Sequence, residues 1–136
     1  MSKRPKKFIN SNTSKIGKLP LAEVHPQFEK SLSLVSELSK WKGYEPLNWV
    51  RDDFKGGFIN YMISAARRHI NEFIEGNNIN YEKRDKDDAI DSSVLHVEAA
   101  AYNLLMIATL YRMGRDDLDD RRLPVPHRGV KKNEKS

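Results

Sequence analysis

Apolar residues recur at helical spacing in three stretches of the chain, and polar or glycine-containing segments separate them. Phe28, Leu32, Val35 and Leu38 lie three or four positions apart and predict a helix over 27–41. Pro26 suits its first turn, where a missing N–H costs nothing, and Gly43 suits its end. Phe58, Tyr61, Met62, Ala65, His69 and Phe73 share a face and predict a second helix over 58–75, stopped by Gly76. Val97, Ala100, Ala101, Leu104, Ala108 and Tyr111 form the stripe of a third helix over 92–113, with Asp91 or Ser92 as N-cap and Gly114 as stop. Leu105, Ile107 and Leu110 broaden that stripe, so the third helix should be buried on more than one side and invites a second subunit. The segment 77–90 reads as a polar loop, and Gly56-Gly57 as a hinge. Three helices with broad apolar faces must pack on one another. The predicted fold is therefore all-α, a small bundle of three to four main helices.

At 136 residues the chain suits one domain, large enough to bury a core without covalent staples. The absence of cysteine excludes disulfides, thiolate catalysis and cysteine-based metal sites. The net charge of +5 is concentrated at the ends. Lys3, Arg4, Lys6 and Lys7 open the chain, and Arg121, Arg122, Arg128, Lys131, Lys132 and Lys135 close it. Residues 1–16 and 121–136 accordingly read as disordered basic tails around a helical domain at 17–120. Such tails can bind nucleic acid, but no aromatic residues interleave with the terminal lysines as a stacking platform requires. No apolar run approaches a membrane span, and MSKRPKKF lacks the apolar stretch of a signal peptide. The expectation is a soluble, cytoplasmic protein with no membrane partner.

Candidate chemistry falls on the second and third helices. His69 lies on an apolar face beside Arg68, with Glu72 three residues on and Glu75 six. The E-x-x-E pair offers two hard oxygen ligands to a magnesium or manganese ion; a solvated acidic edge would look the same. His96, Ala99 and Asn103 share one face of the third helix, where burial of a histidine and an amide demands partners. Asp91 stands just before that helix, where capping alone would explain it.

The ordered series Gly17-Lys18, Lys42-Gly43-Tyr44, Asn48-Trp49, Tyr61, Ala65, Arg68-His69, Gly76, Asp91-Ser92, His96, Ala99 and Asn103 resembles the small helical domain of many phage proteins described as dATP/dGTP diphosphohydrolase, N-terminal. The resemblance spans roughly residues 15 to 120. Three departures mark this chain. Asp91 stands where the family usually has glutamate, Ser93 where glycine is usual, and Gly43 is inserted between the lysine and tyrosine. The resemblance also implies kinship of reaction with all-α nucleoside triphosphate pyrophosphohydrolases of the MazG type, although their full E-E-x-x-E and E-x-x-D signature is not found here.

What the resemblance implies is metal-dependent hydrolysis of purine deoxynucleoside triphosphates to monophosphate and pyrophosphate, in phage nucleotide metabolism within the host cytoplasm. Glu72, Glu75 and Asp91 would hold Mg²⁺ (or Mn²⁺). Arg68, with Lys18 or Lys42, would offset phosphate charge, and His69 or His96 would orient the attacking water. Tyr44 or Trp49 would stack on the purine; Asn48 and Asn103 would complete the substrate-binding set. The alternative is a non-catalytic phage protein that binds a nucleotide or a host protein with the same fold. A nucleic-acid module using the basic tails is a further one.

Overall fold

A computed structural model describes residues 19–51, 59–84 and 87–121. The predicted tails at 1–16 and, beyond Arg121, at 122–136 lie outside these residues, as do Lys18, the Gly56-Gly57 hinge and Phe58. The described part is mostly helical, with α1 at Pro26–Trp41, α2 at Ile59–Ile74 and α3 at His96–Arg112. A two-stranded antiparallel hairpin, β1 at Ile79–Glu82 and β2 at Ile90–Leu95, joins α2 to α3. Short 3₁₀ turns cover Leu21–Glu23, Asn48–Val50 and Asp116–Leu118.

The helices begin and end for local reasons. Pro26 occupies the first turn of α1, and the Nδ1 of His25 accepts a hydrogen bond from the Gln27 backbone N–H at 3.0 Å. Gly76 ends α2 at φ +93°, a conformation a side chain resists. The Asn77 N–H then folds back to the Glu72 carbonyl at 2.9 Å, and Tyr44 and Arg115 close α1 and α3 in the same way onto Ser39 and Leu110.

The expected all-α bundle is corrected by the hairpin, which occupies most of the predicted 77–90 loop and displaces the start of the third helix from Ser92 to His96. Ile79 and Tyr81 alternate with Asn80 and Glu82, a period of two that suits a strand. The pairing skips from Ile79–Leu95 to Tyr81–Asp91, so β2 carries an irregularity around Ser92 and Ser93. Asp91 is therefore not a helix cap. Its carboxylate accepts from the Ser93 N–H at 2.8 Å inside the strand. Ser92 is not one either: its hydroxyl donates to the Asn80 carbonyl and accepts from the Val94 N–H. The carboxylate that closes the start of α3 is Glu98, which accepts from the Leu95 N–H at 2.8 Å.

α2 and α3 pack on each other through Met62, Ala66 and His69 against His96, Ala99, Ala100 and Leu110. The buried face of α2 is thus rotated from the one predicted, and Tyr61 is largely exposed. α3 departs further, since Val97, Ala101, Leu104 and Ala108 of the predicted core stripe point outward. α1 leans on α3, where the Ser36 hydroxyl meets the Tyr102 hydroxyl at 3.2 Å, and has no fully buried residue. Met62, Leu110 and Leu118 form the buried cluster, with Trp49, Met106 and Ile107 packed around it.

The chain does not leave the core after Asp116. Leu118 is buried, and the Asp120 carboxylate accepts from the Asn60 N–H at 2.9 Å near the start of α2. Asp119 binds the Tyr111 hydroxyl and the Arg121 guanidinium, and that guanidinium holds its carboxyl well below the usual carboxylate range. Arg121, read from sequence as the first residue of a tail, is joined to the domain.

Ser93 sits at φ +61°, in the left-handed region where a Cβ costs about 1–2 kcal/mol. Glycine, usual at this position in the resembling family, has no such penalty. Ser93→Gly should therefore raise stability to urea by about 0.5–1 kcal/mol, since glycine's greater freedom in the unfolded chain offsets part of the gain. A loss of stability would show that Ser93 is not held in that conformation.

Candidate functional site

Burial of two histidines on facing helices creates the central feature. His69 on α2 and His96 on α3 are each about 5% exposed (5% and 6%), and their Nδ1 atoms are 2.8 Å apart. A hydrogen bond at that distance needs one Nδ1–H and one Nδ1 lone pair. When both rings are neutral, the ring that donates from Nδ1 has a bare Nε2, and the ring that accepts carries its proton on Nε2. The contact therefore fixes two different tautomers and creates one basic and one donating Nε2. Burial, reinforced by the charges of Arg68, His96 and Lys42, lowers the pKa of His69 from 6.5 to about 4; Glu82 opposes the shift.

Two cavities flank the pair. The first, about 360 Å³, runs between α1, the Asn48–Val50 turn, α2 and α3. It reaches His69 and takes its aromatic rings from Tyr44, Trp49, Tyr61 and Tyr102, and its cations from Lys42 and Arg68. Asn48 and Asn103 also line it. The second, about 580 Å³ and more polar, lies beside the hairpin and reaches His96, Glu72, Asn77 and Asn78. Arg68 and Asn80 border both.

The hairpin supplies residues that the sequence reading missed. Asn80 is buried, and its amide donates to Glu82 at 3.0 Å. Glu82 also pairs with Lys42 at 3.6 Å. Arg84 stacks over the Trp41 ring at 4.6 Å and donates to its carbonyl, which ties the hairpin to the end of α1. A buried asparagine between Ile79 and Tyr81 is detectable only once the segment is read with period two. Asn103 spends its amide N–H on the Ala99 carbonyl at 2.9 Å. The Trp49 indole N–H is buried without an acceptor among the described residues, an orphan donor of the kind a ligand satisfies.

The structure thus gathers Lys42, Tyr44, Asn48, Trp49, Arg68, His69 and Asn103 around one cavity, with His96 behind His69. It does not gather the proposed metal ligands. Glu72 accepts from the Asn77 amide at 2.8 Å in the second cavity, Glu75 is exposed beyond the end of α2, and Asp91 is exposed on β2 and bound to Ser93. Among the described residues, no three histidine, aspartate or glutamate side chains converge on a point that could hold an ion. These carboxylates do not fit a shared Mg²⁺ centre. No described helix is long and apolar enough to cross a membrane.

Comparison with known proteins places the chain in a family. The family model described as dATP/dGTP diphosphohydrolase, N-terminal, matches residues 10–121. The chain belongs to this family. No curated protein and no solved structure matches it. The match covers all three helices, the hairpin and the segment that returns to α2.

The depressed pKa of His69 has a stability consequence. The unfolded chain takes up this proton near pH 6.5 and the native chain only near 4, so the contribution is complete above 6.5 and is lost as pH falls toward 4. Unfolding free energy should decline across that window by up to about 1.4 kcal/mol per pH unit. His69→Asn should flatten the decline. Asp119 adds to the decline only at the acid end of the window, because its stabilisation is lost as pH falls through the ordinary aspartate value of 3.8 and below. An unchanged slope in His69→Asn would mean that other groups carry it.

Proposed function

We propose that this domain binds a purine deoxynucleoside triphosphate in the first cavity and hydrolyses it to monophosphate and pyrophosphate. The observation that carries the reading is the convergence of aromatic rings, two cations and a histidine of depressed pKa on one cavity, in a member of a family described by dATP and dGTP. A nucleotide needs an aromatic or apolar site for its base and positive charge for its phosphates. Tyr44, Trp49 and Tyr61 offer the first, and Lys42 and Arg68 the second. The Trp49 N–H supplies a donor with no partner among the described residues.

In this reading a water oxygen bonds to the α-phosphorus, and the bond to the bridging oxygen breaks. The leaving pyrophosphate keeps the electron pair. With Nδ1–H of His69 directed at His96, the bare Nε2 of His69 accepts the proton of the attacking water. Arg68 and Lys42 stabilise the charge that accumulates on the phosphate oxygens. Mg²⁺ or Mn²⁺ would accompany the nucleotide as its counter-ion.

One observation favours a second reading, binding without hydrolysis: among the described residues, Glu72, Glu75 and Asp91 form no three-ligand cluster. A panel of dATP, dGTP and pyrimidine deoxynucleotides, assayed with and without Mg²⁺ for both binding and pyrophosphate release, separates the two. The proposal expects purine binding and turnover. Arg68→Gln, on an exposed residue, should lower kcat/KM by about 100-fold with helicity unchanged. Asp91→Asn and Glu75→Gln should change it less than about threefold, because neither borders the cavity. Purine binding without pyrophosphate release selects the second reading. Failure of the folded protein to bind any nucleotide removes both.

A further inference from the structure

We infer that the outer face of α3 is a two-fold interface between two copies of this chain. Val97, Ala101, Leu104, Leu105 and Ala108 are exposed on that face, with Val97 at 37%, Leu104 at 50% and Leu105 at 48%. Their spacing of three and four residues puts them on one side of the helix, opposite buried Ala99, Asn103-neighbouring Met106 and buried Leu110. The face carries no charge for three turns, and an uncharged, contiguous apolar helix face in water marks an interaction surface. The inference does not depend on the nucleotide reading.

The order of residues along the face argues for a second copy as the occupant. A closed pair needs a self-complementary surface, and a two-fold axis across a helix pairs it antiparallel with itself. With that axis between Leu104 and Leu105, each of these leucines meets its own counterpart. Ala101 then faces Ala108 of the second copy, and these small side chains let the helices approach beside the central leucines. The only charges of α3 stand at its two ends, Glu98 in the first turn and Arg112 in the last. Antiparallel pairing brings Glu98 of one copy beside Arg112 of the other, on the Leu105 edge of the face, at both ends of the interface. A parallel arrangement would set like charges together.

The test uses the full chain. Sedimentation equilibrium should give twice the chain mass at micromolar concentration. Leu104→Glu should give the single-chain mass at that concentration with unchanged helical circular dichroism, because the residue is half-exposed in the isolated fold. The chain has no cysteine, so Leu105→Cys reports directly. On oxidation it should form a disulfide-linked dimer, whereas Leu34→Cys, on an exposed site of α1, should not. This cross-link decides the matter even if Leu104→Glu fails to fold. A wild-type monomer at all concentrations, as would follow if another segment or protein covers the face, overturns the inference. So does equal cross-linking through Leu34→Cys, or a Leu104→Glu variant that stays dimeric.

Discussion

Two imidazole nitrogens 2.8 Å apart in a protein interior can hold one proton between them but not two. A second would set two N–H donors against each other with no lone pair to accept either. Much of the arrangement answers to this constraint. Ala66 on α2 and Ala99 and Ala100 on α3 are the small residues that bring the two helices close enough for the rings to meet. The hairpin then carries buried Asn80 to the border between the cavities on either side of the pair. Pairing also breaks the symmetry between two like residues, because it forces one ring to present a lone pair where the other presents a proton.

The surroundings keep His69 neutral while supplying charge nearby. Lys42 pairs with Glu82 at 3.6 Å, and the Asn80 amide donates to the same carboxylate oxygen. Arg68 has no carboxylate paired with it among the described residues and borders both cavities. Positive charge that favours a phosphate thus also disfavours the imidazolium, so one arrangement serves anion binding and a free base together. The fold that supports it has a small core. Its closure rests as much on polar returns, Asp120 to the start of α2 and Asp119 to Tyr111 and Arg121, as on the Met62, Leu110 and Leu118 cluster.

Much of this was legible in the residues. Helical spacing and the glycines at 43, 76 and 114 located three helices, since a glycine at positive φ is a physical stop. Polar groups on helices rich in alanine and leucine need partners, and the contact between His69 and His96 supplies one for each. The hairpin was hidden because Asp91-Ser92, a good cap sequence, directly precedes an apolar run, and the same short side chains serve a bulged strand equally well. The outward face of α3 was misread because the helix is apolar on nearly every side, so periodicity could not tell which stripe meets α2. Arg121 looked like tail because charge alone does not distinguish a solvated arginine from one closing an ion pair. The carboxylates of Glu72, Glu75 and Asp91 were grouped by sequence proximity and family analogy; Glu72 instead binds the Asn77 amide, Glu75 follows the end of α2, and Asp91 lies on β2 bound to Ser93.

The account turns on the shared proton, and the imidazole nitrogens report it directly. Long-range nitrogen–proton correlation spectra of the uniformly ¹⁵N-labelled chain near neutral pH distinguish the two neutral tautomers of each histidine. One of His69 and His96 should carry its proton on Nδ1 and the other on Nε2, as a hydrogen bond between the two Nδ1 atoms requires. Finding both rings protonated on Nε2 alone would leave two lone pairs facing each other, and would contradict the pair and the basic nitrogen derived from it.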